Sequence, residues 1–322
     1  KHDFMSLFLT NGEHPRYAQS MTSISSGAYK NVYIGLDKDT QKHVAISKYI
    51  TSPNARDKNE INCYKHLKGP HILEFYEYIE LPDNVHVLIT ELGERGSLGI
   101  LKGVGAGTED TYLSELRNII YQMCVALKSL HDRNIYHRDV KLDNYVMTAN
   151  GTVKIIDFGG STICPTDSSE QKMAKPLSIN RKTHKHNMND KLGTVVFQAP
   201  EIYADQLSDN KKYNTDEYLG PLDVFSLGIA IFNIFSKNNL KSGKNFQHMG
   251  IIIANVDNIK NRLIKQYEYT DEEITHIFQR INESLFGSSI DMSIESILEP
   301  NPDKRAKLGD IIGALSRHNK SI

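Results

Sequence analysis

The pattern of apolar and polar positions divides the chain into two parts. The first ninety residues read as strands with one helix among them. "NVYIGLD" and "KHVAISKYI" are β-like runs joined by the turn-like "DKDTQ", which predicts an antiparallel hairpin with a longer loop. Next, "SPNARDKNEINCYKHLKG" predicts a helix with Ser52 as N-cap and Pro53 at its first position, ending at Gly69-Pro70. Within it Glu60, Cys63, Tyr64 and Leu67 fall at i, i+3, i+4 and i+7, so a carboxylate shares the inward apolar face. "VHVLITEL" reads as a buried strand, and "GERGSLG" after it as a loop.

From Tyr112 onward the pattern turns helical. Leu113, Leu116, Ile120, Met123, Leu127 and Leu130 make one stripe of a long helix. "LDVFSLGIAIFNIF" is apolar nearly all round, which marks a helix buried inside its lobe. "DEEITHIFQRINESLF" predicts a further helix within residues 237–299, a stretch with little other pattern. The composition shifts near residue 92. The expected organisation is therefore a strand-rich lobe over 1–92 and a helical lobe over 93–322, an α+β fold. Between Gly159 and Leu192 runs a polar segment without periodicity, the kind of long loop that is functional or disordered.

Composition narrows the classes. A chain of 322 residues with 39% hydrophobic and 24% charged residues is ordinary for a globular protein. A formal net charge of −1 offers no electrostatic case for nucleic acid or an acidic membrane surface. No apolar run reaches the roughly 18 residues of a membrane span, and "MGIIIANV" is far too short. Cys63, Cys124 and Cys164 are odd in number and far apart, with no metal-ligand spacing, which suggests reduced thiols and a cytoplasmic setting. His184 and His186 read as part of a solvated loop. The first residue is Lys1 rather than methionine, compatible with an excised fragment.

The chemistry is concentrated in "YHRDVKLDNYVM" at 136–147, "KIIDFGG" at 154–160 and "FQAPE" downstream. One such triplet is weak, but the ordered set resembles the catalytic signature of eukaryotic-type protein kinases from about Ile24 to Leu315. The resemblance implies a bilobal fold and transfer of the ATP γ-phosphate to a protein hydroxyl. That reaction depends on positioning and charge neutralisation. It implies Asp139 as the carboxylate at the substrate hydroxyl, Lys141 at the γ-phosphate, and Asn144 with Asp157 as oxygen ligands of Mg²⁺. Val32, Ala45 and Val146 would enclose the adenine, with Thr90 as a small gatekeeper and Glu91 and Gly93 in the hinge. Asp223 would anchor the catalytic loop, Glu201 and Arg305 would form a buried ion pair, and His137 and Phe158 would belong to a hydrophobic spine. The activation loop would run over 157–201. Lys141 and Thr194 resemble serine/threonine kinases, and Arg138 could receive a phosphate from Ser161, Thr162, Thr166, Ser168, Ser169, Ser178 or Thr183.

Two departures stand together. Where the family has a glycine-rich loop, this chain reads Ser25-Ser26-Gly27-Ala28-Tyr29-Lys30-Asn31-Val32, keeping only Gly27. Where the family has a lysine two residues after the strand alanine, "VAISK" has Ser47, and Lys48 arrives one residue late. Strand side chains alternate between faces, so Lys48 points away from Ala45 while Lys30, two residues before Val32, shares the face of Val32. This exchange resembles the with-no-lysine (WNK) kinases, which supply the lysine from the glycine loop. Phe158 stands where those kinases carry leucine at a chloride-sensing site, so chloride regulation is not implied. Three readings are open. Lys30 pairs with Glu60 and holds the phosphates; a bulge turns Lys48 inward; or neither works and the chain is a nucleotide-binding pseudokinase or scaffold. In the last case residues 237–299 are the expected docking surface for a regulatory protein partner.

Overall fold

The computed structural model of the protein describes residues 4–9, 12–27, 30–107, 110–164, 198–201, 216–236, 260, 263–264, 269–287 and 291–319. The expectations at His184, His186, Thr194, most of the activation loop and most of 237–268 lie outside these residues. Two compact units are present: Lys1–Gly96 with Val146–Gly160, and Ser97–Tyr145 with Ser161–Ile322. The first therefore extends past residue 92 and takes in a later segment. That segment is held by its backbone: Ile155 N donates to His71 O at 3.0 Å, and His71 Nδ1 lies 2.7 Å from Val153 O.

The first unit is built on a six-stranded sheet. Its strands are β1 (Phe4–Leu9), β2 (Gly12–Ser26), β3 (Lys30–Asp37), β4 (Lys42–Tyr49), β5 (Phe75–Leu81) and β6 (Val85–Glu91), in the order β1-β2-β3-β4-β6-β5. Tyr17, Val44, Ile46, Ile79, Val87 and Ile89 form a buried cluster, with Tyr33 packed against it. The alternation of β4 is what places Val44 and Ile46 there and Ala45 and Ser47 on the opposite face.

One helix, α1 (Ala55–His66), belongs to this unit. Its N-cap is Asn54, not the expected Ser52. Asn54 Oδ1 accepts from Arg56 N at 2.8 Å and Asp57 N at 3.0 Å, and Asp57 Oδ2 accepts from Asn54 N at 3.0 Å. This reciprocal capping box needs a side-chain acceptor three residues after the cap. Asp57 supplies it, whereas a cap at Ser52 would have Ala55 there. The helix also stops at His66, before Gly69, because Leu67 turns extended and buries its side chain while its N–H still reaches Cys63 O at 2.7 Å.

The second unit contains α2 (Asp110–His131), α3 (Leu219–Phe235), α4 (Asp271–Phe286) and α5 (Leu308–Asn319). In α2 the stripe Leu116, Ile120, Met123, Leu127 and Leu130 is buried. Every residue of α3 from Asp223 to Phe235 except Ser226 is buried, as its all-round apolar character requires. Phe232 of α3 meets Tyr269 and Phe278 edge to face. Thr270 and Glu273 cap the start of α4 with a second capping box. Among the described residues no helix is long and apolar enough to cross a membrane.

Candidate active site

Strands β3 and β4 pair without a register shift from Lys30↔Tyr49 to Asp37↔Lys42. Directly opposed residues of an antiparallel pair share a face. Lys30, Val32 and Ile34 therefore stand beside Tyr49, Ser47 and Ala45. Lys48 pairs with Asn31 and faces the other way, its Nζ 5.9 Å from the centre of the Tyr33 ring. Gly27 N donates to Lys30 O at 3.0 Å, linking the end of β2 to the start of β3.

Lys30 Nζ donates to Glu60 Oε1, and the second oxygen of Glu60 accepts from Tyr49 OH at 3.2 Å. Burial works against the Lys30 ammonium, but the carboxylates of Glu60 and Asp157 outweigh it and raise its pKa above the ordinary lysine value. Lys48 has no such compensation, and burial lowers it.

Two further α1 residues converge on the segment 157–159. Arg56 Nη2 lies 3.5 Å from Asp157 Oδ1. Asn59 Nδ2 donates to Phe158 O at 3.0 Å. Phe158 is fully buried, edge-on to Tyr64 at 5.1 Å. Asp157 holds φ 67°, a left-handed conformation that a non-glycine residue keeps only when its surroundings enforce it. Sequence reasoning does not single out Arg56 and Asn59, although they precede Glu60 by four and one residues on the same helix.

The remaining nucleotide-side candidates of the first unit include Ala45 in the middle of β4, Thr90 and Glu91 at the end of β6, and Gly93 just past it. Ala45 pairs with Thr90, and both are buried. Glu91 Oε2 accepts from Lys154 Nζ at 2.7 Å and Glu74 N at 3.1 Å, so its side chain is a brace. At Gly93 an added Cβ would come within 2.6 Å of Val146 Cβ, which explains the glycine. Val32 and Val146 are half-buried, leaving apolar surface available.

In the second unit the loop carrying Asp139 is held from beneath by Asp223 at the start of α3. Asp223 Oδ2 accepts from His137 N at 2.8 Å, and Oδ1 from Arg138 N at 2.8 Å. His131 Nε2 also lies 2.9 Å from Asp223 Oδ2. These bonds hold Arg138 at φ 66°. Asp139 is nearly buried, with Lys141 Nζ 3.2 Å from its Oδ2. Asn144 Nδ2 donates to Asp139 O at 2.7 Å, which orients the amide and leaves its Oδ1 as an oxygen donor. Arg138 Nη1 donates to Thr162 Oγ1 at 3.1 Å, and burial lowers the Arg138 pKa. Arg305 and Glu201 form a bidentate buried pair at 2.6 and 2.9 Å.

A carboxylate–lysine–asparagine loop, and a lysine–glutamate pair beside an Asp-Phe-Gly segment, are parts used for phosphoryl transfer. Residues 18–314 match the protein kinase domain family, and the chain belongs to it. Membership carries the α+β protein kinase fold, with strands concentrated in one unit and helices in the other. Among its relatives is the serine/threonine-protein kinase TOS3 of Saccharomyces cerevisiae, 25% identical over 310 residues, covering 90% of this chain and 51% of that protein. The probable serine/threonine-protein kinase FMP48 of the same yeast is 28% identical over 254 residues, covering 71% and 62%. Mitogen-activated protein kinase 13 of Arabidopsis thaliana is 25% identical over 240 residues, covering 72% and 58%. The chain thus spans between about half and three fifths of the length of these relatives.

Proposed function

We propose that the chain is a Mg-ATP-dependent serine/threonine protein kinase in which Lys30, not Lys48, holds the ATP phosphates. The observation that carries this reading is the Lys30–Glu60 ion pair, formed while Ser47 occupies the family's lysine position on the same face. The residue types at the family's two magnesium-binding positions suit that ion. Asn144 Oδ1 and the Asp157 carboxylate are hard oxygens, and Mg²⁺ is ordinarily held by one or two such groups plus phosphates and water. When bound, the ion neutralises phosphate charge and fixes the phosphates for in-line transfer.

The chain's own residues would divide the remaining work. Asp139, held by Asn144 and Lys141, would orient the serine or threonine hydroxyl and accept its proton. Lys141, adjacent to that carboxylate, would stabilise charge on the transferring phosphate. Lys30, kept cationic by Glu60, would position the phosphates before transfer. Three cysteines, none of them in a disulfide, support a reducing, cytoplasmic compartment.

The test is phosphate transfer from Mg-ATP to a generic protein substrate such as casein. Wild type should transfer, and Asp139→Ala and Asp157→Ala should each abolish it. Equal transfer by wild type and Asp139→Ala would overturn the proposal. Absence of transfer with intact nucleotide binding would favour a pseudokinase scaffold.

A further inference from the structure

A lysine at position 47 would do two things from one strand: present a cation to the nucleotide face and tie β4 to α1 through Glu60. With the lysine on β3 these tasks come apart, because the Lys30–Glu60 bond ties β3, not β4, to the helix. The β4 tie is still present, made by another residue. Tyr49 stands directly opposite Lys30 in the ladder, on the face of Ser47, and its hydroxyl donates to the Glu60 oxygen that Lys30 does not use.

We infer that Tyr49 is a positioning residue for the relocated lysine: it fixes the Glu60 carboxylate from β4 so that Lys30, arriving from β3, is held in one place. The inference rests on the proposed role of Lys30. A tyrosine hydroxyl this buried, at 3% exposure, needs a partner in any fold. Its role follows from which partner it has. A carboxylate held by one donor can rotate about its last bond, whereas donors on both oxygens fix its plane. Lys30 and Tyr49 supply those two donors from neighbouring strands, and Glu60 is as buried as Tyr49. Burial and the Glu60 charge hold the phenol far above its ordinary pKa, so it remains a donor throughout the working pH range. The lysine exchange thus involves three β positions: Ser47 vacates, Lys30 supplies charge, and Tyr49 keeps β4 attached to α1.

The experiment is a double-mutant cycle of Tyr49→Phe with Glu60→Gln, read as kcat/KM for ATP and as the Mg-ATP dissociation constant by calorimetry. Tyr49→Phe keeps the ring and removes only the donor. It should lower kcat/KM roughly tenfold, as expected for one hydrogen bond to a charged group, and weaken Mg-ATP binding in the same direction. In the Glu60→Gln background it should add less than about twofold, because its effect runs through that carboxylate. An effect of equal size in both backgrounds would overturn the inference, since the hydroxyl would then act independently of Glu60. So would a Tyr49→Phe protein with wild-type kinetics, or one that fails to fold, which would make the hydroxyl a general stability element. Lys30→Met, run in parallel, separates the two claims. If it retains wild-type affinity and rate, the reading of Lys30 fails; if it is impaired while Tyr49→Phe is not, only the role of Tyr49 fails.

Discussion

The β3–β4 hairpin presents a lysine on each of its two faces, and the two have opposite surroundings. Lys30 meets a buried carboxylate and has its pKa raised. Lys48, on the face of Tyr33 and Ile46, meets an aromatic ring and has its pKa lowered by burial alone. Lys48 is only one residue from the family's lysine position, yet it is on the wrong face. Lys30 is far from it in sequence but lies on the same face one strand away, diagonal to it in the ladder. In a pleated strand the parity of a position outweighs its proximity along the chain, because a shift of one residue reverses the face.

The two lysines can be removed one at a time. Lys30→Met should lower kcat/KM by about 10²–10³-fold, typical for the loss of one preorganised charge-stabilising group. Lys48→Met should stay within about twofold, and steady-state phosphotransfer assays of the two variants check both numbers.

The structural face can be perturbed separately. Gly35 lies on the Tyr33 side, and an added Cβ would come within 2.5 Å of Ile46 Cδ1 and 2.7 Å of Val44 Cγ2. Gly35→Ala should cost about 1–3 kcal/mol of stability by overpacking, seen in denaturant melts, with kcat per folded molecule unchanged. A matching loss of kcat without loss of stability would show that the two faces do not separate structure from catalysis.

A sharper version moves the lysine rather than deleting it. Lys30→Gly should be crippled, and adding Ser47→Lys, on the same face, should restore roughly tenfold of the lost kcat/KM, on the order of 1.4 kcal/mol of transition-state binding. No recovery would mean that position 47 no longer reaches Glu60.

The smallest effect is in stability against pH. A folded pKa raised above 10.5, as at Lys30, contributes stability fully present below 10.5 and lost as pH climbs through the raised value. The gap in denaturation midpoint between wild type and Lys30→Met should therefore be flat from about pH 7 to 10 and shrink above it. For Lys48 the sign reverses. Its lowered folded value makes the charged form a liability at neutral pH, and that liability fades as pH rises toward 10.5. Chemical denaturation of the three proteins across this range checks both signs.

Much of this is legible in the sequence because it follows from periodicity. The face of Lys30 depends only on counting back from Val32, and α4 begins and ends where "DEEITHIFQRINESLF" does. The start of α1 differs from its expected place because Ser52-Pro53 is a strong local signal. The reciprocal bond between Asn54 and Asp57 outweighs it, and that bond depends on the residue three positions on. Contact between elements is what sequence does not carry. Nothing in "VAISKY" says that Tyr49 reaches a carboxylate on α1, nor does the spacing of Arg56, Asn59 and Glu60 reveal that the first two grip 157–159. Those contacts require knowing which face of the sheet the helix covers.

Covalent labelling reports which lysine, Lys30 or Lys48, lies at the bound phosphates. An acyl phosphate of ATP acylates amines beside the bound phosphates, Lys141 included, releasing ATP, and peptide mass spectrometry then locates each adduct. Acylation of Lys30, suppressed by excess Mg-ATP, is expected, with Lys48 unmodified. Protectable acylation of Lys48 with Lys30 untouched would contradict the role of Lys30.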